Sequence, residues 1–194
     1  MGHKRSQNQI LSNVRMDGRY IEDVLPVSGI NNTDGLLITE KNAPIALMQA
    51  RATGLTIPFT DAGVNGGNWS PSLFTFPASQ IFITATYAYV NILSVAGGVS
   101  ASGAVTVACG SAAGDGALTG TEVDFAAAAA VNLTAGAGAG TSKSSIVGVQ
   151  LDATSGTQGF FLNFHVADAN LSADGSIVAD LMVRTFFFDA SRGN

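Results

Sequence analysis

The chain has 194 residues, of which 46% are hydrophobic and 12% charged, with a net charge of −5. That length suits one domain with an appended segment and allows a core of useful size. The charged fraction is about half the roughly 25% of ordinary soluble domains, so much of the surface must be small, neutral and apolar, either as the Ser/Thr/Ala/Gly surface of a compact β-protein or as surface buried in an assembly. Residues 1–51 hold six basic and five acidic side chains, and residues 52–194 hold three basic and nine acidic ones. An acidic body argues against nucleic-acid binding, which needs clustered Lys and Arg.

Residues 1–35 are polar and weakly periodic. Lys4, Arg5, Arg15 and Arg19 supply early positive charge, and Ile10, Leu11, Tyr20, Ile21 and Leu25 are scattered apolar anchors. Their spacing fits neither a helix face nor a strand face, so an extended arm that gains order on a partner is expected. Residues 36–60 are ambiguous. Leu36–Thr39 suits a short strand, Pro44–Arg51 fits a short helix or a strand, and Leu55–Phe59 reads as an edge strand because Pro58 cannot donate a ladder hydrogen bond. The expected division is an arm and connecting segment over 1–50 and a β-domain over 51–194.

From residue 61 onward strands and turns dominate. Asn65-Gly66 signals a tight turn. Phe74–Phe76 is short, and Ile81–Leu93 is a long strand with Ile81, Ile83, Ala85, Tyr87 and Tyr89 on one face. Ala104–Cys109 is a further strand. Glu122–Leu133 contains five consecutive alanines, which favour helix, but its large residues Val123, Phe125, Val131 and Leu133 fall on one face at period two, so a strand is predicted. Ala135–Gly140 reads as a loop and Ile146–Leu151 as a strand. The C-terminal pair is the most informative. Phe160, Leu162, Phe164 and Val166 share one face, with Phe161, Asn163 and His165 opposite. Asp174-Gly175 marks a turn. The last strand, Ile177–Phe188, puts Ile177, Ala179, Leu181, Val183, Thr185 and Phe187 on a core face. Val178, Asp180, Met182, Arg184, Phe186 and Phe188 lie on the other. A sheet with one wet side should not end in two exposed phenylalanines, so Phe186 and Phe188 are assigned to a subunit interface or to contact with a second layer. The sum is an all-β chain forming an antiparallel two-sheet β-sandwich, jelly-roll-like, with an extended N-terminal arm.

Candidate chemistry is sparse. His165 has no marked nucleophile or base partner, and Asp152 with Asp180 form no glycosidase context. The glycines at 136, 138 and 140 lack the Lys-Ser/Thr of a phosphate-binding loop. Cys109 is the one cysteine, which rules out an intrachain disulfide and a cysteine zinc cluster. No catalytic residue, metal site or cofactor is predicted, and the chain is not expected to be an enzyme. No secretory h-region follows Met1 and no apolar run reaches membrane-spanning length, so synthesis in the cytoplasm without membrane association is expected. Trp69 beside Asn68 is the one candidate for a carbohydrate-binding module, the alternative function.

The arm Met1–Gly35, the Gly/Ala/Thr-rich strands between Ile81 and Leu151, and the closing Asp180-Leu181-Met182-Val183-Arg184-Thr185-Phe186-Phe187-Phe188 together resemble a decoration (cement) protein of a tailed-bacteriophage capsid. The resemblance implies a homotrimer on the virion surface whose arm clamps the major capsid protein. Lys4, Arg5, Ile10, Leu11, Arg15, Arg19, Tyr20, Ile21 and Leu25 would then be the capsid-binding arm residues.

Overall fold

β12 (Leu171–Asp189) is the spine of the larger sheet. It pairs antiparallel along nearly its whole length with β3 (Ile45–Phe59) on one side and β6 (Gln80–Val99) on the other. A computed structural model describes residues 20–22, 37–42, 45–76, 80–133, 141–144, 149–152 and 158–189 of the chain. The larger sheet continues from β3 to β2 (Leu37–Asn42) and then to β1 (Tyr20–Glu22). On its far side β6 pairs with both β9 (Thr141–Ser144) and β10 (Val149–Asp152). The smaller sheet runs β4/β5–β11–β7–β8, where β4 is Gly67–Trp69, β5 Ser72–Phe76, β7 Ala104–Gly110, β8 Ala126–Asn132 and β11 Gln158–Val166.

Counting β4/β5 and β9/β10 as single broken strands gives eight strands from β3 onward. The first, eighth, third and sixth form one sheet, and the second, seventh, fourth and fifth form the other. Every pairing is antiparallel. This is the double-sheet jelly roll, in which successive strands alternate between sheets except for the β7–β8 pair, and the two sheets bury their inner faces against each other. β3 runs without a break from Ile45 through Arg51, so this part of the ambiguous stretch is strand. Pro58 lies on β3 beyond the reach of β2, where β12 is its described neighbour strand.

The core joins the sheets through aromatic rings. Phe76 of β5 meets Phe187 of β12 edge-on at 5.2 Å, and also contacts Phe125 at 6.0 Å and Phe160 at 6.3 Å. Phe125 and Phe160 stack at 5.3 Å. The expected core faces of the C-terminal pair are buried as a set: Phe160, Leu162, Phe164 and Val166 on β11, and Ile177, Ala179, Leu181, Val183, Thr185 and Phe187 on β12.

Three expectations are corrected by irregular register. On β6, Ile81 and Ile83 point inward as expected, but Tyr87 and Tyr89 are 42% and 40% exposed. The pairing to β12 steps from Phe187↔Ile83 to Phe186↔Ala85, so Thr84 is an extra residue that inverts the alternation. Thr86, Ala88, Val90 and Ile92 therefore face the core in the tyrosines' place. In the alanine stretch, β8 starts only at Ala126. A step between Val107↔Ala129 and Cys109↔Ala126 buries Ala126 and leaves Ala127 exposed, whereas Phe125, Ala129, Val131 and Leu133 are buried as expected. Asp174-Gly175 is not a hairpin turn. Both residues lie inside β12, in a bulge where the register jumps from Leu171↔Val99 to Gly175↔Gly97, and Asp174 Oδ1 accepts a hydrogen bond from Asp61 N at 2.8 Å. The turn signal at Asn65-Gly66 holds. Gly66 adopts φ 64° after a 3-10 turn at Gly63–Asn65, and a Cβ there would collide with the Val166 carbonyl. The Ala135–Gly140 loop expectation lies outside the described residues.

Candidate partner interface

The two outer faces of the sandwich are finished differently. On the smaller sheet, residues 111–125 fold back over the strand face formed by Phe161, Asn163 and His165. Asn163 is fully buried and acts as the pin. Its Nδ2 donates to the carbonyls of Glu122 at 2.8 Å and Ala112 at 3.0 Å, and its Oδ1 accepts from Gly114 N at 3.2 Å. Glu122, buried as well, accepts from Thr119 N at 2.8 Å and Asp115 N at 3.3 Å, with the Thr119 side chain completing a capping box. Asp124 accepts from the Ser111 amide and hydroxyl, both at 2.8 Å. Burial pushes the Asp124 carboxyl above the usual range, against those hydrogen bonds. The loop lies so close to β7 that a Cβ on Gly110 would strike the Thr121 and Glu122 carbonyls.

The outer face of the larger sheet has no such cover among the described residues. It carries Phe82, Tyr87, Tyr89 and Leu93 from β6, with Met182, Phe186 and Phe188 from β12. Leu93 is 45% exposed, and Phe82, Met182, Phe186 and Phe188 are half-buried. The rings pair across the strands. Tyr87 meets Phe186 edge-on at 6.5 Å, and Phe82 meets Phe188 at 6.4 Å. Cross-strand aromatic pairs stabilise the sheet, but these still present apolar surface outward. Arg184 sits across from Tyr87 and donates from Nε to Gln49 Oε1 at 2.8 Å. Further along, a groove of about 260 Å³ is lined by Arg51, Thr53, Tyr89, Asp180 and Met182. Asp180 Oδ1 accepts from Gly54 N at 2.9 Å there, and Asn91, paired with Asp180, keeps a buried Oδ1 without a partner among the described residues.

The sequence candidates fall as follows. Phe186 and Phe188 lie together on this open face, and the signal of two phenylalanines on the polar side of the last strand located it. Tyr87, Tyr89 and Leu93 were missed as members of the face, because the Thr84 bulge that turns them outward has no local sequence mark. Of the arm residues, Tyr20 and Ile21 lie in β1 at the edge of the same sheet, opposite Asn42 and Lys41. Lys4, Arg5, Ile10, Leu11, Arg15, Arg19 and Leu25 lie outside the described residues. Trp69 is packed against Phe164 at 5.6 Å and lies half-buried on the core, and Asn68 is engaged with His165, so this pair presents no open sugar platform. Cys109 is buried, which raises its thiol far above the ordinary range. Among the described residues no three His, Cys, Asp or Glu side chains gather where they could hold a metal ion.

The fold and this face define a jelly-roll β-sandwich with one self-covered and one open outer surface. Neither a family model nor a curated protein matches the sequence. Among solved structures, the chain is similar to one from the Gx strain of infectious bursal disease virus, at 13% identity and a TM-score of 0.33, over 89% of this chain and 38% of that one. It is also similar to the VP2 subviral particle of infectious bursal disease virus, at 12% identity and a TM-score of 0.35, over 84% of this chain and 37% of that one. This chain thus spans less than two fifths of the length of those chains, and the fold assignment stands on the strand order.

Proposed function

We propose that this chain is a structural virion protein: a decoration (cement) protein of a tailed bacteriophage that binds the major capsid protein on the capsid surface as a homotrimer. The observation that carries the reading is the open aromatic face of the larger sheet, on a sandwich whose other outer face is closed by its own loop. In a cyclic trimer each interface joins two different patches of neighbouring copies. The face with Tyr87, Phe186 and Phe188 is one patch, and burying each ring there contributes on the order of 2 kcal/mol. The N-terminal arm, residues 1 to about 35, is the part assigned to the shell. The reading assigns no catalysis and no cofactor. Light scattering coupled to size exclusion tests the assembly. A mass of three 19.7 kDa chains is expected at micromolar concentration, and a monomer mass would refute the trimer.

A second reading, carbohydrate binding, moves from Trp69 to the groove at Tyr89, where an exposed ring stands beside Arg51 and Asp180. A glycan array separates the two. Specific retention lost in Tyr89→Ala favours the sugar reading, and an empty array favours the structural one.

A further inference from the structure

We infer that His165 and Asn68 form an acid-operated latch that holds the 111–125 loop closed over the smaller sheet and loosens it when His165 takes up a proton. His165 on β11 is 8% exposed and lies directly across from Asn68 on β4 in the strand register. The amide of Asn68 reaches both the imidazole and the loop. The orientation that satisfies its neighbours has Nδ2 donating to Gly116 O at 3.0 Å and to His165 Nδ1 at 3.2 Å, while Oδ1 accepts from Gly116 N at 3.1 Å. Asn68 thus clasps the loop at Gly116 by both its backbone groups, and it can do so only while Nδ1 of His165 is an acceptor. Neutral imidazole with its proton on Nε2 meets that requirement.

Protonation removes the acceptor. With both ring nitrogens carrying protons, Nδ1–H faces the Asn68 Nδ2–H, donor against donor. Turning the amide over restores a bond from Nδ1–H to Oδ1, but it then sets Oδ1 against Gly116 O and Nδ2 against Gly116 N. Either arrangement costs the loop its clasp. The device is local, because Asn163 and Glu122 still hold the rest of the loop by bonds that do not involve His165. Gly114 and Asp115 keep their bonds to Asn163, Ser70 and Glu122, so the loop loosens first at Gly116–Ala117.

The groups facing the imidazole bear on where this happens. β4 and β5 carry no titratable side chain, and Cys109, the one on β7, points into the core. The loop itself brings Asp115, Glu122 and Asp124. Burial holds the His165 imidazole below its ordinary value, and the Glu122 carboxylate opposes that in part. The closed state consequently persists at neutral pH, and release belongs to mildly acidic conditions.

Amide hydrogen exchange of the full chain, followed by NMR from pH 7.5 to pH 5, reads the latch directly. Exchange protection of Gly116 should fall at least five-fold over the same range in which the His165 ring titrates, while the Asn163-held amide of Gly114 and the distant ladder between β12 and β6 keep theirs. His165→Gln, which cannot titrate, should give a flat profile at Gly116, and a slope retained there would count against the proposal. In Asn68→Asp the carboxylate accepts from protonated His165, so the His165 titration should move upward. Unchanged Gly116 protection while His165 titrates in the native chain would overturn the proposal, and so would an imidazole whose Nδ1 carries the proton at pH 7.5.

Discussion

Asn163 is a polar side chain with no exposed surface, and all of its amide hydrogen-bonding capacity described above goes to one loop. Replacing it with Leu keeps the volume but strips partners from the buried Glu122 carbonyl and the part-buried Ala112 carbonyl, which costs about 3 kcal/mol. Urea unfolding should register that loss, and a change below 1 kcal/mol would mean that water reaches the loop carbonyls. His165 adds a pH dependence whose sign follows from its lowered value. Folding favours the neutral ring, so its contribution is present above the ordinary value of 6.5 and is lost as pH falls through the lower folded value. Asp124 runs the other way. Its raised value makes the protonated form the one folding prefers, so acidification toward the ordinary 3.8 recovers stability there. Stability should therefore decline just below pH 6.5 in the native chain and not in His165→Gln, as measured by thermal melts across that window. Cys109 should stay unreactive toward thiol reagents in the folded chain, and neither reductant nor chelator should shift Tm, because the thiol is buried and held protonated.

At the scale of elements, what the sequence made legible were strands that keep their own phase. β12 buries alternate residues from Ile177 to Phe187 because the extra residues at its register steps lie on β3 and β6, and β11 buries Phe160, Leu162, Phe164 and Val166 in phase while the 111–125 loop covers Asn163 and His165. Where a strand takes on an extra residue the phase is lost. Thr84 is such a residue on β6, and its Oγ1 donates to the Phe186 carbonyl at 3.0 Å, a bond to a strand one hundred residues away that no local pattern encodes. The 111–125 loop was invisible for a related reason. Its anchors are Asn163 and Asn68, and their partners are backbone groups whose proximity only the folded topology creates. Glu122 is buried where the capping box uses its carboxylate. The aromatic bridge is the element-level joint between sheets. Phe76→Ala removes ring contacts to Phe125, Phe160 and Phe187 together and should cost about 3–5 kcal/mol. A chemical-denaturation loss under 1 kcal/mol would show that the neighbouring rings collapse into the space.

At the scale of the whole molecule, charge and shape divide along the two sheets. Every described Lys or Arg, namely Lys41, Arg51, Lys143 and Arg184, lies on a strand of the larger sheet, and the smaller sheet with its described connections has none. The open aromatic face and β1 belong to this same sheet, since β1 pairs with β2 at its edge. Among the described pairings β2 is β1's only partner, so removing residues 1–30 exposes the edge of β2 and leaves β3, β12 and β6 paired as before. The truncated chain should therefore keep its far-UV strand signal and its oligomeric mass. Residues 1 to about 35 are too polar and irregular to build a core alone, and a segment that orders on binding can cover a large partner surface at an entropic cost. On the proposed function, the truncated protein should no longer rebind particles depleted of the native one, and Lys4, Arg5, Arg15 and Arg19 should make native binding weaken as salt is raised. Rebinding of the truncated chain with unchanged affinity would move the shell contact from the arm to the aromatic face. Tyr87→Ser combined with Phe186→Ser would then be the variant that abolishes it.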